Sequence, residues 1–212
     1  MTNRWKTAAV AAMTTFATAA ITAPLAGQDL DQYDYTNLGL RGIGVELIYV
    51  DPTQNEGALG LGGRLDLGFL GPNVRLIPRV GYWKADVNAS SVLELEAQLE
   101  EVSGLEPGTI NLGQIQRSAW VVGTDLQYVA SVSQISPYLG VGIDVYALND
   151  DGDAITGTFL DDAVVTAGVS AVGGLELQLS PGWSAYGEFR ATAVTDASSL
   201  GGAFGVLYRF GP

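Results

Sequence analysis

The residues of this chain that could do chemistry are mostly carboxylates. The segment DDGD places Asp150, Asp151 and Asp153 around Gly152. Carboxylates spaced closely around a glycine are typical of calcium loops, because Ca²⁺ prefers many oxygen ligands. The segment lacks the later bidentate glutamate that such loops contain. A solvated acidic loop is therefore the main interpretation, and a weak calcium site at these three aspartates is the alternative.

The composition excludes most catalytic and metal-binding chemistry. The chain of 212 residues contains no Cys and no His. It therefore has no disulfide, no zinc-thiolate site, no Ser-His-Asp triad and no His-ligated metal. Paired carboxylates such as Asp125 and Asp144 could act as acid and base, but membership of an ion-pair network is the preferred interpretation. The sequence predicts neither an enzyme nor a cofactor.

The net charge and the first residues indicate an exported protein. The formal charge of −13 argues against a nucleic-acid partner, because phosphates require Lys and Arg. Arg4 and Lys6 precede an apolar, alanine-rich stretch that ends in APLAGQ, where small residues allow cleavage. We expect a signal peptide at residues 1–27 and a single domain at 28–212; a membrane-spanning anchor is the alternative for the first segment.

After the predicted signal peptide, the chain shows apolar and polar residues in alternation and little helical periodicity. This pattern predicts strands, and long strands must therefore position the carboxylates. Most of these segments have 12 or more residues, whereas strands in globular proteins cluster near about 5–6. A tilted strand that crosses a bilayer needs about 9–11 residues. Tight turns alternate with longer loops, as in membrane barrels. The eight predicted strands are 39–50, 57–70, 73–87, 117–132, 136–149, 163–179, 183–195 and 199–210.

The alternation also predicts which side of each strand faces outward. In WSAYGEFRATAV, one face is wholly apolar and the other carries Glu188 and Arg190. Across the strands, the second face is mostly small residues with a few charges of both signs, which suits the interior of a barrel of about eight strands. We therefore expect the apolar faces to meet lipid and the charges to pair inside. The predicted interior network is Glu46, Arg64, Asp66, Arg75, Arg79, Asp125, Asp144, Glu176, Glu188 and Arg190.

The longest loop contains a predicted short helix at 91–103. Ser91 and Glu94 fit a capping box, and Gly104 suits the helix end. Packing on the barrel rim is the main interpretation, and a lid or binding helix is the alternative. The predicted packing face consists of Val92, Leu95, Leu99 and Val102. A second local expectation concerns Pro78, which cannot donate a hydrogen bond inside a strand and so predicts a bulge.

The predicted outer loops hold a concentration of acidic residues with no basic residue nearby. Like charges repel, so we expect mobile loops that bind divalent cations weakly and nonspecifically. Bridging of the loops to anionic surface lipid by these cations is the alternative. The residues are Glu94, Glu96, Glu100, Glu101 and Glu106 in one loop, and Asp150, Asp151, Asp153, Asp161 and Asp162 in another.

From about Leu38 to Phe210, the strand pattern resembles the small outer-membrane barrels of the OmpA/OmpX/OmpW type. The terminal strand GVLYRF looks like the aromatic-ended signal that the bacterial barrel-assembly machinery reads. The resemblance implies an all-β fold: an eight-stranded antiparallel transmembrane β-barrel with a short helix in the longest extracellular loop. It also implies a monomer in the bacterial outer membrane, with outer-membrane lipid and the assembly machinery as partners.

Such barrels host several kinds of function, so the fold alone does not select one. The enzymatic members rely on a catalytic His, which is absent here. We expect a structural or surface-interaction role with a side-chain-filled interior. The alternatives are a passive conduit for small or hydrophobic molecules and a soluble lipocalin-like carrier.

Overall fold

The computed structural model describes residues 37–130, 134–155, 163–194 and 198–210. The predicted signal peptide at 1–27 lies outside these ranges, and so do Asp161 and Asp162 of the acidic loop. The described elements are β1 (Gly42–Pro52), β2 (Ala58–Asp66), β3 (Phe69–Gly71), β4 (Val74–Asp86), α1 (Ala89–Ser103), β5 (Gln116–Val129), β6 (Ile135–Asp151), β7 (Val164–Ser180), β8 (Trp183–Ala193) and β9 (Ser199–Arg209).

The strands form one closed antiparallel barrel. Each strand from β4 to β9 pairs with its neighbour in sequence, and β1 pairs with both β2 and β9. The short β3 and the longer β2 both pair with β4, so together they make one barrel strand that is interrupted at Leu67 and Gly68. The nine-stranded sheet therefore closes as an eight-stranded barrel, which confirms the predicted fold.

The two ends of the barrel differ in the length of their connections. One end carries the tight connections β3–β4, β5–β6 and β7–β8, and we call it the turn end. Asn73 and Gly182 have positive φ angles of 62° and 83° there, as tight turns often require. The opposite end, which we call the loop end, carries the connection from β4 to β5 with α1, and the connections β1–β2, β6–β7 and β8–β9.

Side chains alternate between the outside and the inside of the barrel along most of the long strands. In β6, Ile143 is 67% exposed, whereas Asp144 beside it is 0% exposed. The same period of two runs through β1, β5 and β8, where the outward residues are apolar and the inward polar residues are buried. The predicted outward direction of the apolar faces is thus confirmed, and it is opposite to that of a soluble barrel, which buries them.

The predicted bulge at Pro78 is wrong. Pro78 pairs in regular register with Thr124 of β5, and β4 is continuous on both sides of it. The irregularity lies in the opposite strand, where the pairing of β2 with β4 ends at Arg64 and Arg79. Gly68 then takes a φ of 85° between β2 and β3. The strand that departs from regular pairing near the missing N–H of Pro78 is therefore the one formed by β2 and β3, and not β4.

The helix begins earlier than the capping box predicted. It starts at Ala89, with Asn88 as N-cap and no side-chain hydrogen bond at the cap. Main-chain bonds from Val87 to Ile115 and from Asn88 to Gln54 hold the chain where it leaves the sheet, so the helix starts directly afterwards. Gly104 ends it with a left-handed φ of 67°, as predicted. No helix in the described ranges has both the length and the apolar character needed to cross a bilayer.

Candidate functional site: the barrel interior and the loop core

A chain of ion pairs crosses the middle of the barrel. Arg64 donates to Glu46 and to Glu188 at N–O distances of 2.5 and 2.8 Å. Arg190 contacts the other oxygen of Glu188 at 3.0 Å. Arg190 also binds Asp125 with both terminal nitrogens, at 2.9 and 2.6 Å. These contacts join β1, β2, β5 and β8, so the network spans the lumen rather than lining one wall.

Two further groups extend this chain of ion pairs. Arg79 donates to Asp144 at 2.5 Å and lies 3.7 Å from Asp125. The Tyr138 hydroxyl donates to Glu188 at 2.9 Å, and the Tyr186 hydroxyl donates to Glu46 at 2.8 Å. The Arg64 guanidinium also stacks 3.7 Å above the Tyr186 ring. The charged groups therefore have hydrogen-bonding partners, which a buried charge needs if it is not to cost several kcal/mol.

A second cluster lies nearer the turn end. Arg75 contacts Glu176 at 2.8 Å, and Gln127 accepts a hydrogen bond from Arg75 at 2.9 Å. Arg209 contacts the second oxygen of Glu176 at 2.5 Å and Asp66 at 3.2 Å. Every residue of the predicted interior network therefore lies in one of these two clusters. We call the two clusters together the interior network.

Among the members of the interior network that the sequence missed are Gln127 and Arg209. Both have the inward parity of their strands, which was the available signal. Gln127 carries no charge and so was not considered as a pairing partner. Arg209 is the last residue of β9, and its contact with Asp66 of β2 depends on closure of the barrel, which brings β9 to a strand distant in sequence.

The interior is apolar at the loop end, which the sequence did not predict. Trp83, Tyr146 and Leu148 are each 4% exposed and pack together inside the barrel. They fill the lumen between the interior network and the loops. We call this cluster the apolar layer; it consists of Ala58, Trp83, Ala85, Ala119, Val121, Tyr146, Leu148 and Val194, with Val50 packed against it.

Residues of the apolar layer and of the interior network line one small cavity. Its volume is about 40 Å³. Its lining includes Arg79, Arg190 and Glu46 of the interior network and Trp83 and Tyr146 of the apolar layer. A cavity needs only about 10–15 Å³ of such volume to hold one water, so this one has room for a few water molecules. It is far smaller than the pockets of about 300–1,000 Å³ that hold drug-sized ligands.

The long loop at the loop end shares a hydrophobic core with the connection that follows β6. Four buried side chains form it, and α1 supplies one of them, Val92. Val102, which was predicted on the packing face, is 88% exposed. The reason is that Glu100, not Val102, faces the returning segment 105–112. The loop core consists of Val92, Leu112, Ile115 and Ile155, with Val87, Leu95, Leu99 and Ile110 packed against it.

Two glutamates of α1 hold the returning segment in place. Glu100 accepts backbone hydrogen bonds from Gly108 at 3.0 Å and from Ile110 at 2.7 Å. Glu96 accepts one from Leu112 at 2.7 Å. The bond from the Ile110 N–H is the largest of the contacts that lower the pKa of Glu100 below its ordinary value, because each favours the ionised carboxylate. These acids therefore stabilise the loop through their charge.

One of the acidic loops has a basic partner, which corrects the sequence prediction. Arg117 binds Asp150 with two nitrogens, both at 2.6 Å. Register explains this pair, since Arg117 stands opposite Asp150 across β5 and β6. One of the three aspartates of the proposed calcium loop is therefore engaged by a guanidinium. In the ranges that the structure covers, no group of three or more acidic residues is arranged to hold a metal ion.

Aromatic side chains mark both ends of the outer surface. At the loop end, the rings of Tyr82 and Trp120 lie 5.0 Å apart. At the turn end, Tyr208 lies 5.0 Å from Trp183 and 5.7 Å from Phe210. Tyr and Trp favour membrane–water interfaces, where the ring meets lipid and the polar atom meets water. The apolar band between the two groups of rings is therefore the part of the barrel that spans a membrane.

Comparison with known proteins agrees with this geometry. The chain is similar to the solved structure of Neisserial surface protein A, with 13% sequence identity, a TM-score of 0.54, and coverage of 80% of this chain and 96% of that chain. It is also similar to the outer membrane protein OprG from Pseudomonas aeruginosa, with 11% identity, a TM-score of 0.50, and coverage of 84% and 100%. No curated protein sequence matches the chain. At these identities the likeness shows the fold alone.

A family model gives the family directly. The model of the outer membrane protein beta-barrel domain matches residues 7–210, which is nearly the whole chain. The resemblance to small outer-membrane barrels and the bacterial outer-membrane location, both expected from the sequence, are thereby confirmed. With its closed sheet, outward apolar faces and aromatic rims, the chain belongs to the family of outer membrane protein β-barrel domains.

Proposed function

We propose that this barrel is a closed structural and surface-interaction protein, whose loop end faces the cell exterior and whose lumen passes no solute. The observation that carries the proposal is the filled interior. The interior network joins opposite walls of the barrel, the apolar layer covers it toward the loop end, and the cavity that both of them line has a volume of about 40 Å³. A solute would have to displace both layers.

The energetics of the interior network support a closed lumen. Breaking a buried ion pair by removing one partner costs about 3–5 kcal/mol. A hydrated ion that entered the lumen would have to separate several such pairs, including Arg64–Glu188 and Arg190–Asp125. The same pairing supports a role without catalysis, because Asp125 and Asp144 are held by Arg190 and Arg79 and are 0% exposed.

The loop end supports the surface role. Its longest loop carries the loop core, so it presents α1 as a shaped surface rather than as an unstructured tail. The exposed side of α1 combines Leu93 and Val102 with Glu94 and Glu101. Such a mixed apolar and acidic face suits contact with another macromolecule better than transport of a small solute.

Conductance in planar lipid bilayers tests the closed lumen. We expect the purified monomer to give no large, steady conductance. The positive control is the quadruple variant Trp83→Ala, Tyr146→Ala, Arg64→Ala, Arg190→Ala, because it opens both the apolar layer and the interior network and should raise ion passage. A steady porin-like conductance of the unmodified protein would overturn the proposal in favour of a conduit.

A further inference from the structure

The interior network contains one more acidic side chain than basic side chains. All six acids are buried, and all five arginines form salt bridges with them. If every one of these groups is ionised, the network holds one uncompensated negative charge inside the barrel. The acids are Glu46, Asp66, Asp125, Asp144, Glu176 and Glu188, and the arginines are Arg64, Arg75, Arg79, Arg190 and Arg209.

The remaining basic residues of the chain do not supply the missing positive charge. The sequence has 10 Lys and Arg residues, of which the interior network uses the five above. Arg117 pairs with an aspartate of β6, and Arg41 and Lys84 are exposed. Arg4 and Lys6 lie in the predicted signal peptide, outside the described ranges. An isolated ion in a medium of low dielectric is strongly unfavourable, so we expect the compensating charge to come from solution.

The excess acid belongs to the middle of the barrel. The cluster nearer the turn end is balanced, because Arg75 and Arg209 face Asp66 and Glu176 there. The other part of the network, which we call the central cluster, has four acids and three arginines. It consists of Glu46, Asp125, Asp144, Glu188, Arg64, Arg79 and Arg190.

Asp144 is the acid of the central cluster with the fewest hydrogen-bond donors. Its Oδ1 accepts one bond, from Arg79 at 2.5 Å, and its Oδ2 is buried and has no hydrogen-bond partner within the described ranges. Asp125, which is also 0% exposed, accepts bonds from Arg190 on both oxygens. The other acids of the cluster each accept three side-chain hydrogen bonds. Since a buried acceptor without a donor is costly, Oδ2 of Asp144 is the atom that an added positive charge would stabilise most.

The strands around Asp144 leave it with one shared cation. On the two strands that pair with β6, the residues directly opposite Asp144 are Gly123 and Gly168, which carry no charge. Arg79, which contacts Asp144, also lies 3.7 Å from Asp125. The charged or titratable groups that face Asp144 in the interior are Glu46 on β1, Arg64 on β2, Arg79 on β4, Asp125 on β5, Tyr146 on β6, and Glu188 and Arg190 on β8.

We propose that the central cluster binds one positive charge from solution at Oδ2 of Asp144, as a proton or as an alkali cation. The bound charge cancels the excess acid and leaves Oδ1 free to keep its hydrogen bond from Arg79. Water in the adjacent cavity, which Arg79 also lines, gives the charge a route to the site. The site goes beyond the proposed function, because a lumen that is closed to solutes need not exchange a charge with solution.

Infrared spectroscopy tests for the proton, with the protein folded in a detergent that has no carbonyl group. Exposed acids are ionised at neutral pH, so the C=O stretch of a protonated acid reports a buried one. We expect the intensity of one protonated acid per barrel in the unmodified protein. Asp144→Asn should abolish it, and the control Glu94→Gln, at an exposed position of α1, should keep it.

Urea unfolding tests both sources of the charge. In buffer whose only cation is N-methylglucamine, Asp144→Asn should unfold at the same or a higher urea concentration than the unmodified protein. Asp125→Asn, the same change at an equally buried aspartate, should unfold at a lower one, because Arg190 loses its two-oxygen partner. If the infrared band is absent and sodium raises the midpoint of the unmodified protein but not that of Asp144→Asn, the bound charge is an alkali ion.

Three results would overturn the site. One is the absence of both the infrared band and the sodium dependence. Another is an infrared band that persists in Asp144→Asn, which would place the proton on a different acid. The third is a loss of stability in Asp144→Asn as large as that in Asp125→Asn, which would show that Asp144 is ionised and fully compensated by Arg79.

Discussion

Glu188 joins three other side chains of the interior network, because its carboxylate accepts hydrogen bonds from Arg64, Arg190 and Tyr138. Glu188→Gln keeps the side-chain size but removes the charge that two guanidinium groups share. We expect a loss of about 3–5 kcal/mol in the free energy of unfolding, the range for breaking a buried ion pair. Equilibrium unfolding in urea, with the protein in lipid vesicles, measures it.

Glu94→Gln is the control for this change, since Glu94 is exposed on α1 and forms none of these pairs. Its effect should stay within about 0.5 kcal/mol. If Glu188→Gln also stayed within that range, the interior network would contribute little to stability, and the account of the closed lumen would lose its energetic basis.

Ile143 tests the outward direction of a single residue. It lies at the middle of β6 and is 67% exposed on the outer face. An arginine facing lipid near the bilayer midplane costs about 2–4 kcal/mol, so Ile143→Arg should lower the yield of folded barrel in vesicles. Val102→Arg, at an 88% exposed position of the loop, should fold like the unmodified protein. Equal folding of the two variants would contradict the orientation.

At the scale of elements, α1 and its returning segment depend on the charge of Glu100. The folded state lowers the pKa of this carboxyl, chiefly through the hydrogen bond from the Ile110 N–H. The ionised form therefore stabilises the loop above the unfolded pKa of about 4.3, and this contribution is lost as the pH falls through the folded pKa. We expect the NMR amide shifts of Gly108 and Ile110 to titrate with a midpoint below that of an ordinary glutamate.

In the variant Glu100→Gln, the same two amide shifts should no longer follow this titration, because the amide side chain carries no proton that is lost in this pH range. The barrel strands should be unaffected, since Glu100 contacts only the loop. A midpoint at or above the ordinary glutamate value in the unmodified protein would show that these backbone bonds do not favour the ionised form.

The elements also show what a sequence can and cannot predict. Alternation is local information: Ile143 and Asp144 are adjacent, and their opposite faces follow from the pleat of one strand. The start of α1 does not follow from local sequence, because main-chain hydrogen bonds from Val87 and Asn88 to residues of other segments determine it. The same holds for Pro78, whose missing donor is accommodated in the neighbouring strand.

For the whole molecule, the acidic loops predict weak binding of divalent cations. Asp150 is engaged by Arg117, and Glu96 and Glu100 accept backbone N–H groups, so these carboxylates are less available to an ion. Calorimetric titration of the detergent-folded protein with calcium should show weak, nonsaturating heats. A tight, saturable site that disappears in Asp151→Asn, Asp153→Asn would contradict this expectation.

The interior of the whole barrel was predicted in part. Parity and charge placed Arg64, Asp125 and Glu188 inside, and these residues do meet there. The partners of each charge were not predictable, because they depend on closure and register between distant strands. The apolar layer was missed for a related reason: Trp83 and Tyr146 are apolar residues that face inward, and only the closed ring shows that they fill the same cross-section.

The pairing of β1 with β9 has a consequence for the order of assembly. These strands come from opposite ends of the described chain, and they pair from Gly42 and Arg209 to Pro52 and Ser199. Until β9 has been synthesised, β1 and β8 each present an unpaired edge that invites pairing with another chain. The ring therefore cannot close during translation, and the growing polypeptide must be kept apart from its neighbours until its final strand arrives.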